Sequence, residues 1–190
     1  GTSLTGGDGL TAMGASAAES LTTGAAVTVF GFQAGQYLTT GGNNVAVGAK
    51  ALRGVSTGAT AYETVAVGIE TGKSITTGNQ NTLIGPEVAL NLTTGSLNVA
   101  VGRRALQNDQ QGSRSVAIGY NALFAQQFTT ATTSYNTAVG FEAGSAVTTG
   151  THNTLLGALS GDNITNGYEN TTVGYNINAG GSGAVRQIGL

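Results

Sequence analysis

A glycine returns every 17 residues along almost the whole of this 190-residue chain, and its neighbours return with it. The intervals between successive repeat glycines are 17, 17, 20, 17, 17, 17, 21, 17 and 17 residues. A period this regular is typical of stacked structural units, in which each unit contacts only its neighbours. The repeat glycines are Gly14, Gly31, Gly48, Gly68, Gly85, Gly102, Gly119, Gly140, Gly157 and Gly174.

The composition favours one folded domain without cofactor chemistry. Hydrophobic residues make up 39% of the chain and lie in register with the repeat, so 32 glycines do not indicate disorder. Seven basic and nine acidic residues give no basic surface for nucleic acid, and no apolar run is long enough to insert in a membrane. We predict a single domain over 1–190, with coils in register from about residue 4 to residue 178 and a tail at 179–190.

The residues just before each glycine predict a short β-strand. Three places before it the residue is always β-branched, and one place before it is always large and apolar. Because alternate residues of a strand share a face, both positions lie on one side, which we interpret as the core. The predicted core column includes Val47, Val67, Ile84, Val101, Ile118 and Val139.

The residue between those two positions points to the other side of the strand and is mostly small and apolar. A strand that is apolar on both sides is normally buried on both sides, which one thin coil cannot arrange alone. We therefore expect a homo-oligomer in which copies of the chain cover this second face. The predicted oligomer face comprises Ala46, Ala66, Ala100, Ala117 and Ala138.

The other half of each unit carries a Leu-Thr-Thr-Gly motif, which starts seven places after the repeat glycine and predicts a second strand and a turn. Stacked units of this kind form an all-β parallel β-solenoid, or β-roll, of about ten 17-residue coils. An earlier copy, Leu-Thr-Gly-Gly at 4–7, is expected in the first coil.

These motifs resemble two related groups of surface repeats. Asn-Val-Ala-Val-Gly at 44–48 and 98–102, with Tyr-Asn-Ala-Leu at 120–123, is similar to repeats of bacteriophage tail fibres and large bacterial surface proteins. Ser-Val-Ala-Ile-Gly at 115–119 resembles the head repeat of trimeric autotransporter adhesins. The resemblance implies a homotrimeric fibre module in a virion tail fibre or at a cell surface, which attaches to a host glycan or protein. A bacterial adhesin head is the alternative.

The two places where the period lengthens are the predicted loops for receptor contact. Three extra residues follow Gly58, and four extra residues fall between Gly119 and Gly140. Insertions in a solenoid map to loops that leave the stacked coils intact. The candidate contact residues on or beside these loops are Tyr62, Glu63, Phe128 and Tyr135. The three aromatic rings could stack on sugars, or they could pack against the corner of a neighbouring chain.

Other polar columns are interpreted structurally. Asn recurs four places before the glycine, where stacked amides form a hydrogen-bonded ladder. His152 is the single histidine and has no triad or metal-ligand spacing around it, so we predict no catalytic site, no cofactor and no metal. The threonine arrays leave an ice-binding solenoid as an alternative function. A glycan-degrading enzyme is another alternative, which the release of sugars from host polysaccharide would reveal.

Overall fold

The computed structural model describes residues 9–190, which form an all-β chain without helices. The expected half-unit at 4–7 lies outside these residues. The strands of the described chain are β1 (Thr11–Met13), β2 (Thr28–Phe30), β3 (Val45–Val47), β4 (Val65–Val67), β5 (Thr82–Ile84), β6 (Val99–Val101), β7 (Gly112–Ser113), β8 (Val116–Ile118), β9 (Thr132–Thr133), β10 (Thr137–Val139), β11 (Thr154–Leu156), β12 (Thr171–Val173) and β13 (Ile188–Gly189).

Eleven strands of the described chain form one parallel sheet, in which each strand pairs with its counterpart in the next coil. Val99 pairs with Val116 and Ala100 with Ala117, so equivalent repeat positions lie directly beside each other. The predicted parallel β-solenoid is confirmed. The coils continue further than predicted, because β13 pairs in parallel with β12 and extends the register beyond residue 178.

The second strand predicted for each unit is wrong for most coils. In the described chain the Leu-Thr-Thr-Gly half forms a strand pair only between β7 and β9, and elsewhere it runs as turns. Successive turns still bond to each other, as when the N–H of Thr76 donates to the carbonyl of Thr93 at 2.9 Å. Left-handed residues in each coil, such as Leu106 with φ +56°, prevent an extended backbone there.

The predicted assignment of the two strand faces is inverted. Residues of the proposed oligomer face point into the coil and are fully buried within one chain: Ala46, Ala66, Ala100, Ala117 and Ala138. The proposed core column points outward, with Val47, Ile84 and Ile118 exposed and Val67, Val101 and Val139 half-buried. The physical reason is volume, since a 17-residue coil encloses a narrow interior that accepts small side chains on the strand.

Side chains inside the coil compensate for one another in size. Where the strand contributes the larger Leu155, the position four after the glycine is Gly161 in the same coil and Gly144 in the preceding coil. A Cβ atom on Gly161 would lie 2.6 Å from Cδ2 of Leu155, and one on Gly144 would lie 2.5 Å from its Cδ1. Where the strand contributes Ala117, that position holds the fully buried Leu123. Compensation thus also acts between neighbouring coils, since Gly144 shares its coil with the small Ala138 and leaves room for Leu155 of the next coil.

Two polar ladders run along the solenoid. The buried Asn98 donates from Nδ2 to the carbonyl of Gly112 at 3.0 Å, and its Oδ1 accepts the N–H of Ser115 at 2.9 Å. The first threonine of each pair uses its hydroxyl in the same way, since Oγ1 of Thr76 donates to the carbonyl of Thr93 at 3.1 Å. The amide ladder expected from the sequence is therefore confirmed, and it satisfies backbone groups at the corners of the coils.

The repeat glycine is required by both conformation and space. Its φ lies between +114° at Gly102 and +143° at Gly140, a region that side-chain-bearing residues rarely adopt. A Cβ atom on Gly119 would lie 2.1 Å from the carbonyl oxygen of Gly140 in the next coil. Any other residue would therefore push successive coils apart at this corner.

We expect Gly119→Ala to destabilise the protein by about 1–3 kcal/mol from backbone strain, with a further cost from the collision with Gly140. The matched control is Gly181→Ala, because a Cβ atom on Gly181 meets nothing within 4 Å. Urea unfolding curves of the two variants and the parent protein measure the difference. Equal stability of both variants would contradict the role assigned to the repeat glycine.

Candidate functional site: the sheet face and the corner beside it

The outward side of the long parallel sheet is a continuous apolar surface, which we call the sheet face. It consists of the residues one and three places before each repeat glycine. Its exposed or half-buried members are Thr11, Met13, Thr28, Phe30, Val45, Val47, Val65, Val67, Thr82, Ile84, Val99, Val101, Val116, Ile118, Thr137, Val139, Thr154, Leu156, Thr171 and Val173. None of these residues is charged.

The sheet face is large for a surface that lies open in one chain. Eleven strands at about 4.8 Å spacing give a length of about 48 Å, and two outward residues per strand give a width of about 10 Å. An apolar patch of roughly 500 Å² is at the upper range for monomeric proteins and usually marks an interaction site. Met13 on the first strand is 68% exposed, and Ile84 in the middle of the array is 40% exposed.

Aromatic residues extend the sheet face along one edge. The position just after the repeat glycine carries Phe32, Tyr120, Phe141 and Tyr175. The rings of Tyr120 and Phe141, on consecutive coils, stack with centroids 5.3 Å apart and planes inclined by 10°. Phe141 and Tyr175 remain 52% and 73% exposed, so this edge adds to the apolar surface.

A column of exposed side chains borders the opposite edge of the sheet face, and we call it the corner column. It contains the residue five places before each repeat glycine, always with a left-handed backbone where it is not glycine. This conformation turns the side chain away from the coil, because the next residue returns inward as the buried Asn ladder. Its members from coil to coil are Ala26, Asn43, Glu63, Gln80, Leu97, Arg114, Tyr135, His152, Glu169 and Arg186.

Three consecutive members of the corner column form a stacked cluster, which we call the Arg114 cluster. The guanidinium carbon of Arg114 lies 5.8 Å from the ring centroid of Tyr135, within the range of a cation–π interaction. The ring of Tyr135 lies 5.3 Å from that of His152 at an angle of 45°. All three side chains are exposed, Tyr135 to 50%. The sequence-based interpretation missed this cluster, although its members share one repeat position.

Eight other charged side chains of the described chain form ion pairs with neighbours on the same or the adjacent coil. Glu70 lies 2.9 Å from Nζ of Lys50 and 3.2 Å from Nζ of Lys73, and the hydrogen bond from Lys50 lowers its pKa. Glu87 lies 2.8 Å from Nε of Arg104, whose hydrogen bond likewise lowers the pKa of the carboxyl. These carboxylates sit in half-buried ion pairs at the surface of the coils.

A buried polar network lies inside the two coils that carry Arg114 and Tyr135. Asp109 and Gln126 replace the inward leucine of other coils, and Nε2 of Gln126 donates to Oδ2 of Asp109 at 2.7 Å. Oδ1 of Asp109 accepts the N–H groups of Gln110, Gly112 and Phe128 at 2.9, 3.2 and 3.0 Å. One carboxyl thus connects the turns of both coils, and its burial raises its pKa.

The four loop residues predicted to contact a receptor differ in their exposure and in their hydrogen bonds. Phe128 is only 6% exposed and faces inward over Gly112, so the prediction that it contacts a receptor is wrong. Tyr62 is 44% exposed, but its hydroxyl donates to the carbonyl of Thr40 at 3.0 Å. Glu63 is exposed and accepts a hydrogen bond from Nε2 of Gln80 at 2.9 Å. Tyr135 alone of the four joins a cluster of exposed side chains.

The first insertion lies earlier in its coil than predicted. Ala59 bridges Leu38 of the preceding coil, so the register is restored before Tyr62. The extra residues form a turn closed by a 2.9 Å hydrogen bond from the N–H of Gly58 to the carbonyl of Val55. Tyr62 therefore occupies a regular repeat position. In the second insertion, between Phe128 and Ser134, β9 pairs with β7 directly before Tyr135 and Arg114.

No model of a known protein family matches this chain, and neither does a curated protein or a solved structure. Residues 9–190 contain no helix that is long and apolar enough to cross a membrane. The same residues contain no group of three or more His, Asp or Glu side chains that could hold a metal ion.

The buried carboxyl of Asp109 predicts a dependence of stability on pH. Because its pKa is raised in the folded chain, this group favours folding when protonated, at pH values below the ordinary Asp pKa of about 3.9. Its contribution to stability is lost as the pH rises through the raised pKa. In Asp109→Asn we expect no loss of stability over this pH range, because Asn does not titrate, and the variant should differ from the protonated parent by a constant amount. Melting temperatures of both proteins across this range test it; parallel pH profiles would contradict the prediction.

Proposed function

We propose that this chain is a structural and attachment module of a fibre, comparable to a segment of a bacteriophage tail fibre, and that it self-associates through the sheet face. The observation that carries the proposal is the uncharged apolar sheet face along the length of the rod. The proposal that three copies assemble is based on the resemblance of the repeat motifs to those of tail fibres and trimeric adhesins. In such an assembly the corner column stays at the rim, where it is available for attachment.

The energetics of association favour a second copy as the partner of the sheet face. Burial of about 500 Å² of apolar surface per chain stabilises an assembly by roughly 12 kcal/mol per chain. This is of the same order as the 4–15 kcal/mol cost of lost translational and rotational freedom. Because the face extends over all coils, identical rods aligned along their length bury all of it together, which a small ligand cannot do.

The threonine pairs support a structural role more than ice binding. The first threonine of a pair uses its hydroxyl to bond to the next coil. In Thr93, for example, Oγ1 donates to the carbonyl of Gln110 at 2.9 Å. The outward residues of the sheet face vary in size from Val47 to Phe30, so the surface is uneven. Neither the first threonine of each pair nor the sheet face therefore presents a regular array of free hydroxyls on a level surface in the described chain.

The test compares Ile118→Asp with Ala100→Asp. We expect Ile118→Asp to leave the single chain folded and to dissociate the assembly, because the charge would be buried only between copies. Ala100→Asp should instead unfold the chain, since Ala100 is fully buried inside its own coil. Circular dichroism reports folding, and light scattering reports mass relative to the 18.7 kDa chain.

Thr149→Asp is the matched control for Ile118→Asp, because Thr149 is exposed at a corner that does not belong to the sheet face. It should leave both folding and mass unchanged. A parent protein with the mass of a single chain would contradict self-association. An Ile118→Asp variant that keeps the full mass would show that another surface holds the copies together.

A further inference from the structure

We propose that the Arg114 cluster binds the carboxylate groups of an acidic polysaccharide. The site consists of Arg114, Tyr135 and His152, which are stacked on three consecutive coils of the corner column. That the polysaccharide belongs to a host surface rests on the proposed attachment function. The site itself is formed by residues of one chain and does not require the oligomer. No sequence motif pointed to it, because its residues are 21 and 17 positions apart.

The cluster presents polar groups in a row along the rod. Tyr135 contacts the guanidinium of Arg114 on one neighbouring coil and the tilted ring of His152 on the other, and it remains 50% exposed. A guanidinium presents paired N–H donors that fit the two oxygens of a carboxylate. The phenol hydroxyl and an imidazole N–H supply further donors about one coil spacing, 4.8 Å, away.

The coils beneath the cluster are more strongly connected than their neighbours. The paired strands β7 and β9 lead directly into Arg114 and Tyr135, and the buried carboxyl of Asp109 accepts N–H groups from both turns. The second insertion therefore supplies the additional strand that orders this corner. A rigid backbone reduces the conformational entropy lost when side chains bind a ligand.

Charge at the corner favours an anion. Among the described residues Arg114 has no carboxylate within ion-pair distance, whereas the equivalent Arg186 bonds to Glu169 at 2.5 Å. That pairing also occupies the carboxylate of Glu169, which follows His152 in the column. On the other side the neighbour of Arg114 is the uncharged Leu97. The positive charge of Arg114 is thus directed to solvent and to an external anion.

A carboxylated polysaccharide fits this row better than a single small anion. Acidic sugars repeat their carboxylates along a chain, so successive sugars can meet the donors that are arranged in a row along the corner column. Each contact is weak and exposed, so several along the ligand, or one in each copy of an oligomer, are needed for firm attachment.

The experiment measures binding of fluorescent oligogalacturonate and its methyl ester to the full chain at low ionic strength. We expect binding of the acid form only, and weakening of roughly tenfold or more in Arg114→Gln, as loss of a charge-assisted hydrogen bond implies. Tyr135→Phe should give a smaller loss, since it removes the hydroxyl and keeps the ring. The matched control Arg103→Gln removes the same charge at the opposite edge of the sheet face, where Glu87 stays paired with Arg104, and should bind as the parent does.

Each other outcome overturns the proposal. Equal binding of the methyl ester would exclude carboxylate recognition, and equal weakening by Arg103→Gln would show that only the net charge of the protein matters. Absence of binding by the parent protein would also refute it. Light scattering of Arg114→Gln shows whether the variant weakens binding directly or through a change in self-association. A changed mass would mean that the corner belongs to the interface between copies.

Discussion

Backbone hydrogen bonds between successive coils determine nearly every other feature of this structure. They hold each position beside its counterpart in the next coil, as the pairing of Val99 with Val116 and of Ala100 with Ala117 shows. A property that repeats in the sequence therefore becomes a continuous column in space. Repeat glycines allow the coils to approach closely, amides form a buried ladder, and outward valines and isoleucines merge into one apolar surface.

This constraint explains why the architecture could be predicted from the sequence. The 17-residue period and the β-branched positions before each glycine indicate a parallel solenoid without any knowledge of side-chain contacts. The direction of each strand face could not be obtained from alternation alone, because both faces are apolar. Size decides it, since Ala117 and Leu123 together fit the interior of a coil, whereas the column of Ile118 lies outside.

The candidate site was harder to predict for a related reason. Departures from the period drew attention to aromatic residues near the insertions, yet Phe128 packs inward over Gly112. Tyr62 proves to be in register, because the extra residues are accommodated before Ala59. The Arg114 cluster becomes visible only when residues are compared at one repeat position, where exposed side chains of adjacent coils meet.

The account divides the molecule into a surface for self-association and a corner for attachment. Its central claim is that the column of Ile118 is covered by another copy while Ala117 is covered by its own coil. The most direct measurement is maleimide labelling of native protein, which has no cysteine of its own, with one cysteine introduced at a time. The account predicts slow labelling of Ile118→Cys and Ala117→Cys and rapid labelling of the exposed control Thr149→Cys. Labelling of Ile118→Cys as fast as that of Thr149→Cys would contradict it.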